Sequence, residues 1–93
     1  MNTLIIDTSN NKEIKVGIRI EGKERLLKQK INYQKAQVAL PMIDELLKQQ
    51  DLGLKDLTSI EVNTHPGSFT GIRVGMAIAN ALGFALKIPI KTI

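Results

Sequence analysis

The sequence predicts an α/β fold in which two main helices cover a mixed five-stranded sheet, and three observations predict it. Residues 13–20 alternate strictly between apolar and polar side chains, which is typical of a half-buried strand. Residues 34–50 show the spacing of an amphipathic helix, and residues 71–87 are apolar around nearly the whole circumference of a second helix. The chain has 93 residues, so we expect residues 1–93 to form a single domain.

The first third of the chain predicts an antiparallel meander. Residues 3–7 form a short apolar run that ends at an acid, which indicates a buried strand. The alternating strand 13–20 follows, residues 21–23 make a tight reversal, and residues 24–32 return as a more polar third strand. Because the third strand is rich in lysine, we expect it to lie at an edge of the sheet.

The remaining elements alternate between helix and strand. The helix 34–50 contains Pro41, which removes one hydrogen bond and is expected to bend it. Strand 58–62, helix 71–87 and strand 88–93 complete the order βββαβαβ. Ribonuclease H-like domains use this order, including the half-domain of the actin-like ATPase superfamily, and we expect that fold here.

Composition excludes several kinds of site. The chain has no cysteine and one histidine, which excludes disulfides, thiolate zinc sites and multi-histidine metal sites. Aromatic residues make up 3%, which argues against a nucleic-acid surface of stacked rings. Residues 12–35 carry eight bases and three acids, a pattern that suits either RNA phosphates or protection of a sheet edge, and we favour the second. The first residues lack a basic leader, so we expect a cytoplasmic protein.

The second helix has a repeat of small residues at every fourth position. A ridge of small side chains lets another backbone approach closely, and it compensates for the helix propensity that interior glycines lose. Arg73 and Asn80 interrupt the apolar surface, which disfavours a membrane span. We therefore expect a helix-to-helix interface with a partner, formed by the ridge together with a smaller apolar edge on the first helix. Its predicted residues are Val38, Met42, Gly71, Gly75, Met76, Ala79 and Gly83.

Two loops carry side chains that could bind an anion. One follows the first strand, and the other precedes the second helix, where amide groups converge on a positive helix end. The alternative is that these residues organise a turn and cap the helix, and the residue types alone favour that alternative. The candidate residues are Asp7, Thr8, Ser9, Gly67, Ser68 and Thr70. His65 lacks an assignable partner for catalysis.

Three segments resemble the TsaB (YeaZ) family. Residues 66–75, Pro-Gly-Ser-Phe-Thr-Gly-Ile-Arg-Val-Gly, are similar to the signature segment of that family, residues 4–9 to its opening strand and turn, and residues 40–43 to its first helix. Two positions depart from the family pattern, since His65 stands where a glycine is usual and Lys35 where a histidine is usual. The family pattern continues into a second domain that this sequence does not contain.

The resemblance implies a noncatalytic scaffold in the synthesis of N6-threonylcarbamoyladenosine (t6A) in tRNA. TsaB is a degenerate relative of the catalytic subunit TsaD in the glycoprotease-like superfamily, so the resemblance implies binding to TsaD through the helices, with the ATPase TsaE as a further partner. It also implies a homodimer in isolation, tRNA contact through the complex, no resident cofactor and no membrane. The alternatives are a nucleotide- or phosphate-binding half-domain, with ATP and Mg²⁺ at a shared interface, and a self-associating module. Peptide hydrolysis is disfavoured because the sequence lacks a pair of histidines or a metal cluster.

Overall fold

The computed structural model describes residues 1–31, 35–64 and 67–93, and only the backbone of residues 35 and 36. The strands and helices follow the predicted order. Their bounds are β1 Asn2–Asp7, β2 Glu13–Ile20, β3 Lys23–Lys30, α1 Lys35–Gln49, β4 Ser59–Val62, α2 Phe69–Leu86 and β5 Ile90–Thr92.

The sheet has the strand order β3-β2-β1-β4-β5. The first three strands form the predicted antiparallel meander, and β1–β4 and β4–β5 are parallel pairs. Glu21 and Gly22 close the first hairpin with φ values of 50° and 80°, as a tight two-residue reversal requires. The predicted mixed α/β sheet with β3 at one edge is therefore confirmed.

The core lies between the sheet and a single layer of helices. The two helices contact each other, with α1 over β2 and β3 and α2 over β1, β4 and β5. The strand residues that face them are all aliphatic and 0% exposed, and they are Leu4, Ile6, Ile14, Val16, Ile18, Ile60 and Val62. The low aromatic content is consistent with this core, because branched aliphatic side chains fill the space.

The opposite face of the sheet is polar and carries an ion-pair network. The Arg19 guanidinium donates to Glu61 at 2.7 Å and to Glu24 at 2.9 Å, and so connects β2 to β3 and β4. Hydrogen bonds from Arg19 lower the pKa of Glu61 by more than its partial burial raises it, and they raise the pKa of Arg19. One face of the sheet therefore packs in the core, while on the other face ion pairs link β2 to β3 and β4.

Several boundaries differ from the sequence prediction by one or two residues. The second helix begins at Phe69 rather than Gly71, because the Ser68 side chain caps it by accepting from the Gly71 amide at 3.2 Å. A 3-10 turn at Leu54–Asp56 lies between α1 and β4, and β5 spans three residues of the predicted 88–93. The first helix continues through Pro41, and its predicted start at Gln34 lies outside the described residues.

Within the described ranges, α2 meets the length and composition of a membrane-spanning helix, with a mean hydropathy of 1.4. The central helix of an α/β domain meets the same criteria. Here α2 packs on β1, β4 and β5, and its buried side chains serve the core of the domain. The position of α2 on the sheet therefore explains the apolar residues on its inner side without a membrane.

Candidate functional site

The two predicted loops meet at the carboxyl end of β1. The Ser68 amide donates to the Ser9 carbonyl at 2.7 Å, which pairs the loop after β1 with the loop before α2. A Cβ on Gly67 would stand 2.5 Å from the Ser9 carbonyl oxygen, and the φ of Gly67 is 153°, so this position needs glycine. The loops predicted to carry chemistry are thus neighbours, and His65 and Pro66 of the second loop lie outside the described residues.

Asp7 holds the turn that follows β1. Its Oδ1 accepts from the Ser9 hydroxyl at 2.6 Å and from the Ser9 amide at 3.1 Å. Burial raises the pKa of Asp7, but the hydrogen bonds from Ser9 and Asn63 and the charge of Lys15 outweigh burial and lower it overall. Asp7 is therefore an ionised carboxylate whose Oδ1 accepts two hydrogen bonds within its own turn.

The hydroxyl groups of this region are also engaged inside the protein. Thr8 is fully buried and donates through Oγ1 to the Gly71 carbonyl, and Ser9 is 5% exposed. The Ser68 Oγ accepts from Gly71 as a helix cap. Thr70 is exposed on the first turn of α2. This geometry supports the structural alternative that the sequence left open, in which these residues organise the turn and cap the helix.

Metal binding needs several ligating side chains in one place. Among residues 1–31, 35–64 and 67–93 there is no group of three or more histidine, aspartate or glutamate side chains that could hold an ion. The one carboxylate of the loop cluster, Asp7, is bound by Ser9. A shared site for ATP and Mg²⁺ therefore stays a prediction that draws no support from the described side chains.

The ridge of small residues on α2 faces the chain's own sheet, so its assignment to a partner interface is wrong. A Cβ on Gly75 would stand 2.6 Å from Thr8 Oγ1, and one on Gly83 would stand 2.6 Å from Ile90 Cδ1. Gly71 and Ala79 are buried as well. The physical reasoning about close approach holds, but the surface that approaches is the sheet formed by β1, β4 and β5.

The other three predicted interface residues also pack inward. Met42 is 6% exposed and belongs to the core, so it does not form an apolar edge outside the main stripe of α1. Val38 and Met76 are partly buried and pack against the same core. These methionine and valine side chains fill the space between the helices and the sheet.

The surface that α2 turns to solvent carries the two phenylalanines of the chain. Phe69 is 75% exposed and Phe84 is 88% exposed, with the exposed Ala77 and Ala81 between them. The Arg73 guanidinium lies 5.8 Å from the centre of the Phe69 ring. We call this surface the outer α2 face, formed by Phe69, Arg73, Ala77, Ala81 and Phe84.

The outer α2 face is not among the predicted site residues, although the helical spacing of the sequence contains a signal for it. Once the glycines point to the sheet, the 100° step of a helix places Phe69, Ala77 and Phe84 together on the opposite side. Exposed phenylalanine in a chain with an aliphatic core is the unusual feature that marks this surface.

Comparison with known proteins identifies related chains. Residues 29–93 match the family model of TsaD, tRNA N6-adenosine threonylcarbamoyltransferase. The tRNA threonylcarbamoyladenosine biosynthesis protein TsaB of Bacillus subtilis (strain 168) is 35% identical over 96 aligned residues, which cover 100% of this chain and 41% of the relative.

Solved structures agree with these sequence matches. YeaZ from Pseudomonas aeruginosa superposes with a TM-score of 0.90 at 29% identity over 100% of this chain and 44% of the YeaZ chain. RuvC of T. thermophilus, solved with a Holliday junction, has a TM-score of 0.59 at 12% identity over 100% of this chain and 64% of its own, and shows the ribonuclease H-like fold alone. The chain thus spans less than half the length of TsaB and YeaZ.

Proposed function

This chain belongs to the family described as tRNA N6-adenosine threonylcarbamoyltransferase (TsaD), and on that premise we propose that it is a noncatalytic subunit in the synthesis of threonylcarbamoyladenosine in tRNA. It acts as a scaffold that binds a TsaD-type transferase through its helical layer. The similarity to TsaB along the whole of this chain supports a role in that biosynthesis.

One observation carries the binding role, and it is the exposure of both phenylalanines on the outer α2 face. Buried aromatic side chains supply much of the energy of protein interfaces, and monomeric proteins rarely leave such a surface uncovered. Leu40 on α1 is 52% exposed and lines an apolar cleft with Leu47 and Leu82, so the apolar surface extends from α2 toward α1. The helical layer therefore presents exposed apolar side chains on both helices to a partner of helical structure.

The arrangement of the loop cluster supports the noncatalytic part of the proposal. Asp7 is bound by Ser9, the Thr8 hydroxyl is bound to Gly71, and Ser68 caps α2. A general base or a metal ligand needs free acceptor capacity toward a substrate. Here the polar groups of the cluster stabilise the junction between β1 and α2.

The test is association with a TsaD-type transferase, measured by analytical ultracentrifugation of the mixture and of each protein alone. Phe84→Asp places a charge at the C-terminal end of the outer α2 face, in place of its most exposed aromatic ring, and is expected to weaken binding by about a hundredfold or more. Leu26→Asp is the matched control, because Leu26 is 50% exposed on the other face of the sheet. Its affinity should equal that of the unsubstituted chain.

Three outcomes separate the alternatives. Loss of the heterodimer in Phe84→Asp, but not in Leu26→Asp, supports the proposed role as a scaffold. A homodimer of the isolated chain lost in the same variant assigns the outer α2 face to self-association, with the transferase competing for it. Binding that is equally strong in Phe84→Asp and the unsubstituted chain would refute the assignment of this face.

A further inference from the structure

The strand β3 offers unused backbone hydrogen-bonding groups at one edge of the sheet. It pairs with β2 alone among the described strands. The Ile31 amide donates to the Lys12 carbonyl at 2.9 Å, so odd-numbered residues of β3 point their backbone groups at β2. The N–H and C=O groups that point away from the sheet belong to Glu24, Leu26, Lys28 and Lys30. An extended peptide laid beside β3 would find a donor and an acceptor at every second residue.

A groove runs beside this edge, between β3 and α1. Its volume is about 390 Å³. The partly buried Leu27 and the buried Met42 provide an apolar floor, and Pro41 stands on the helix side. The lining residues are Leu27, Lys28, Gln29, Pro41, Met42 and Glu45. Alternate side chains of an added strand would point into this groove, while the others would extend over the open face of the sheet.

The charge of β3 selects the chemistry of such a peptide. Lys23, Arg25, Lys28 and Lys30 take part in none of the ion pairs among the described residues, whereas Glu24 is bound by Arg19. Four bases along eight residues repel a second copy of the same strand and so disfavour self-pairing of this edge. The same charges attract a strand that carries carboxylates.

We propose that the edge of β3 and its groove bind an extended acidic peptide segment, which joins the sheet as a sixth strand. The site would place apolar side chains over Leu27 and Met42 and carboxylates beside Lys28 and Lys30. This surface is separate from the outer α2 face, because α2 packs on β1, β4 and β5.

An RNA strand is the competing ligand for a row of bases, and the groove disfavours it. The floor of the groove, formed by Leu27 and Met42, is apolar and offers no polar partner to a phosphate backbone. The exposed aromatic rings among the described residues, Phe69 and Phe84, lie on α2 and are not available for stacking beside β3. Backbone pairing and apolar contacts together therefore favour a peptide.

The probe is an acetylated, amidated octapeptide of alternating valine and glutamate, titrated into the isotopically labelled chain and followed by amide chemical shifts. We expect saturable shifts at β3 and at residues 41–45 of α1. The matched octapeptide with lysine in place of glutamate should bind about tenfold more weakly or not at all. Shifts spread over the whole surface, or equal binding of both octapeptides, would overturn the proposal.

A pair of variants isolates the backbone contribution. Lys28→Ala removes a charge, and Lys28→Pro removes the same charge together with one outward-pointing amide. Because that amide does not face β2, the proline variant keeps the existing ladder. The proline variant should bind the glutamate octapeptide about tenfold more weakly than the alanine variant. Equal affinity of the two variants would show that no strand is added.

Two further ligands make the result independent of how the proline variant folds. Octapeptides that are N-methylated on one or the other alternate set of amides should differ, since only one set can face β3. Loss of binding in one analogue supports the sixth strand, and equal behaviour of the two analogues refutes it. An eight-nucleotide oligouridylate that displaces the glutamate octapeptide at the same concentration would also refute the proposal, in favour of an RNA site.

Discussion

Replacing Gly75 by leucine tests which way the small residues of α2 face. If they face the sheet, a larger side chain at this position must disturb the core of the isolated chain. If they faced a partner, the monomer would tolerate leucine and only association would suffer. The same substitution therefore gives opposite results in a measurement of monomer stability.

The structure sets the expected magnitude. A Cβ at Gly75 would lie 2.6 Å from Thr8 Oγ1 and 3.3 Å from Val62 Cγ2, against an ordinary contact of 3.4 Å or more. Thr8 is fully buried and bonded to Gly71, so it cannot move aside without losing that hydrogen bond. Overpacking costs about 1–3 kcal/mol for small additions, and leucine adds four carbons while regaining only about 1 kcal/mol of helix propensity. We expect a net loss of about 3 kcal/mol or more, which lowers Tm by about 12 °C or more in a domain of this size.

The assay is thermal and urea unfolding followed by circular dichroism at a concentration where the chain is monomeric. Ala77→Leu is the matched control, because Ala77 is exposed on the opposite side of the same helix. Its free energy of unfolding should stay within about 0.5 kcal/mol of the unsubstituted chain. A Gly75→Leu variant with unchanged Tm, or an Ala77→Leu variant that is the less stable of the two, would refute the orientation of α2.

Two further predictions concern the loop cluster. Ser68→Ala removes the cap of α2 and should lower the free energy of unfolding by about 1 kcal/mol, whereas Ser68→Asp, which can cap, should restore it; equal stability of the two variants would exclude capping. The lowered pKa of Asp7 and Glu61 means that both stabilise the fold fully above about pH 5 and progressively less as the pH falls below about 4. Unfolding measured from pH 7 to pH 2 should show this loss, and Asp7→Asn should make the acid limb shallower; an unchanged acid limb would contradict the role given to Asp7.

The sequence was sufficient for the architecture because each strand and helix has its own local pattern. The alternation of residues 13–20 fixes which side chains of β2 face the core, and all of Ile14, Val16 and Ile18 are buried there. The hairpin needs a positive φ at Glu21 and Gly22, and the glycine indicates it. The start of α2 was misplaced because the sequence pattern does not show where a cap lies when serine and threonine both occur near it.

The composition of α2 does not show which side of the helix faces the sheet. A helix that is apolar on all sides has no polar face to indicate solvent, so the ridge at Gly71, Gly75 and Gly83 fits either a partner or the sheet. The choice depends on Ile6 of β1, Val62 of β4 and Thr8 just after β1, which all approach Gly75. Two of those contacts, Ile6 and Thr8 with Gly75, join residues more than sixty positions apart, and no local pattern encodes them.

The orientation of α2 also determines which side chains contribute to the free energy of binding a partner. Glycine at positions 75 and 83 brings the helix close to the sheet, which leaves the rings of Phe69 and Phe84 as the largest groups projecting from its outer face. Burying a phenylalanine side chain contributes about 1.5–3 kcal/mol, so the two rings together correspond to about 3–6 kcal/mol. Such a contribution is a large share of the energy of a micromolar complex, about 8 kcal/mol. The loss expected for Phe84→Asp follows from this, because the substitution removes one ring and leaves a carboxylate that must lose its water when the partner covers it.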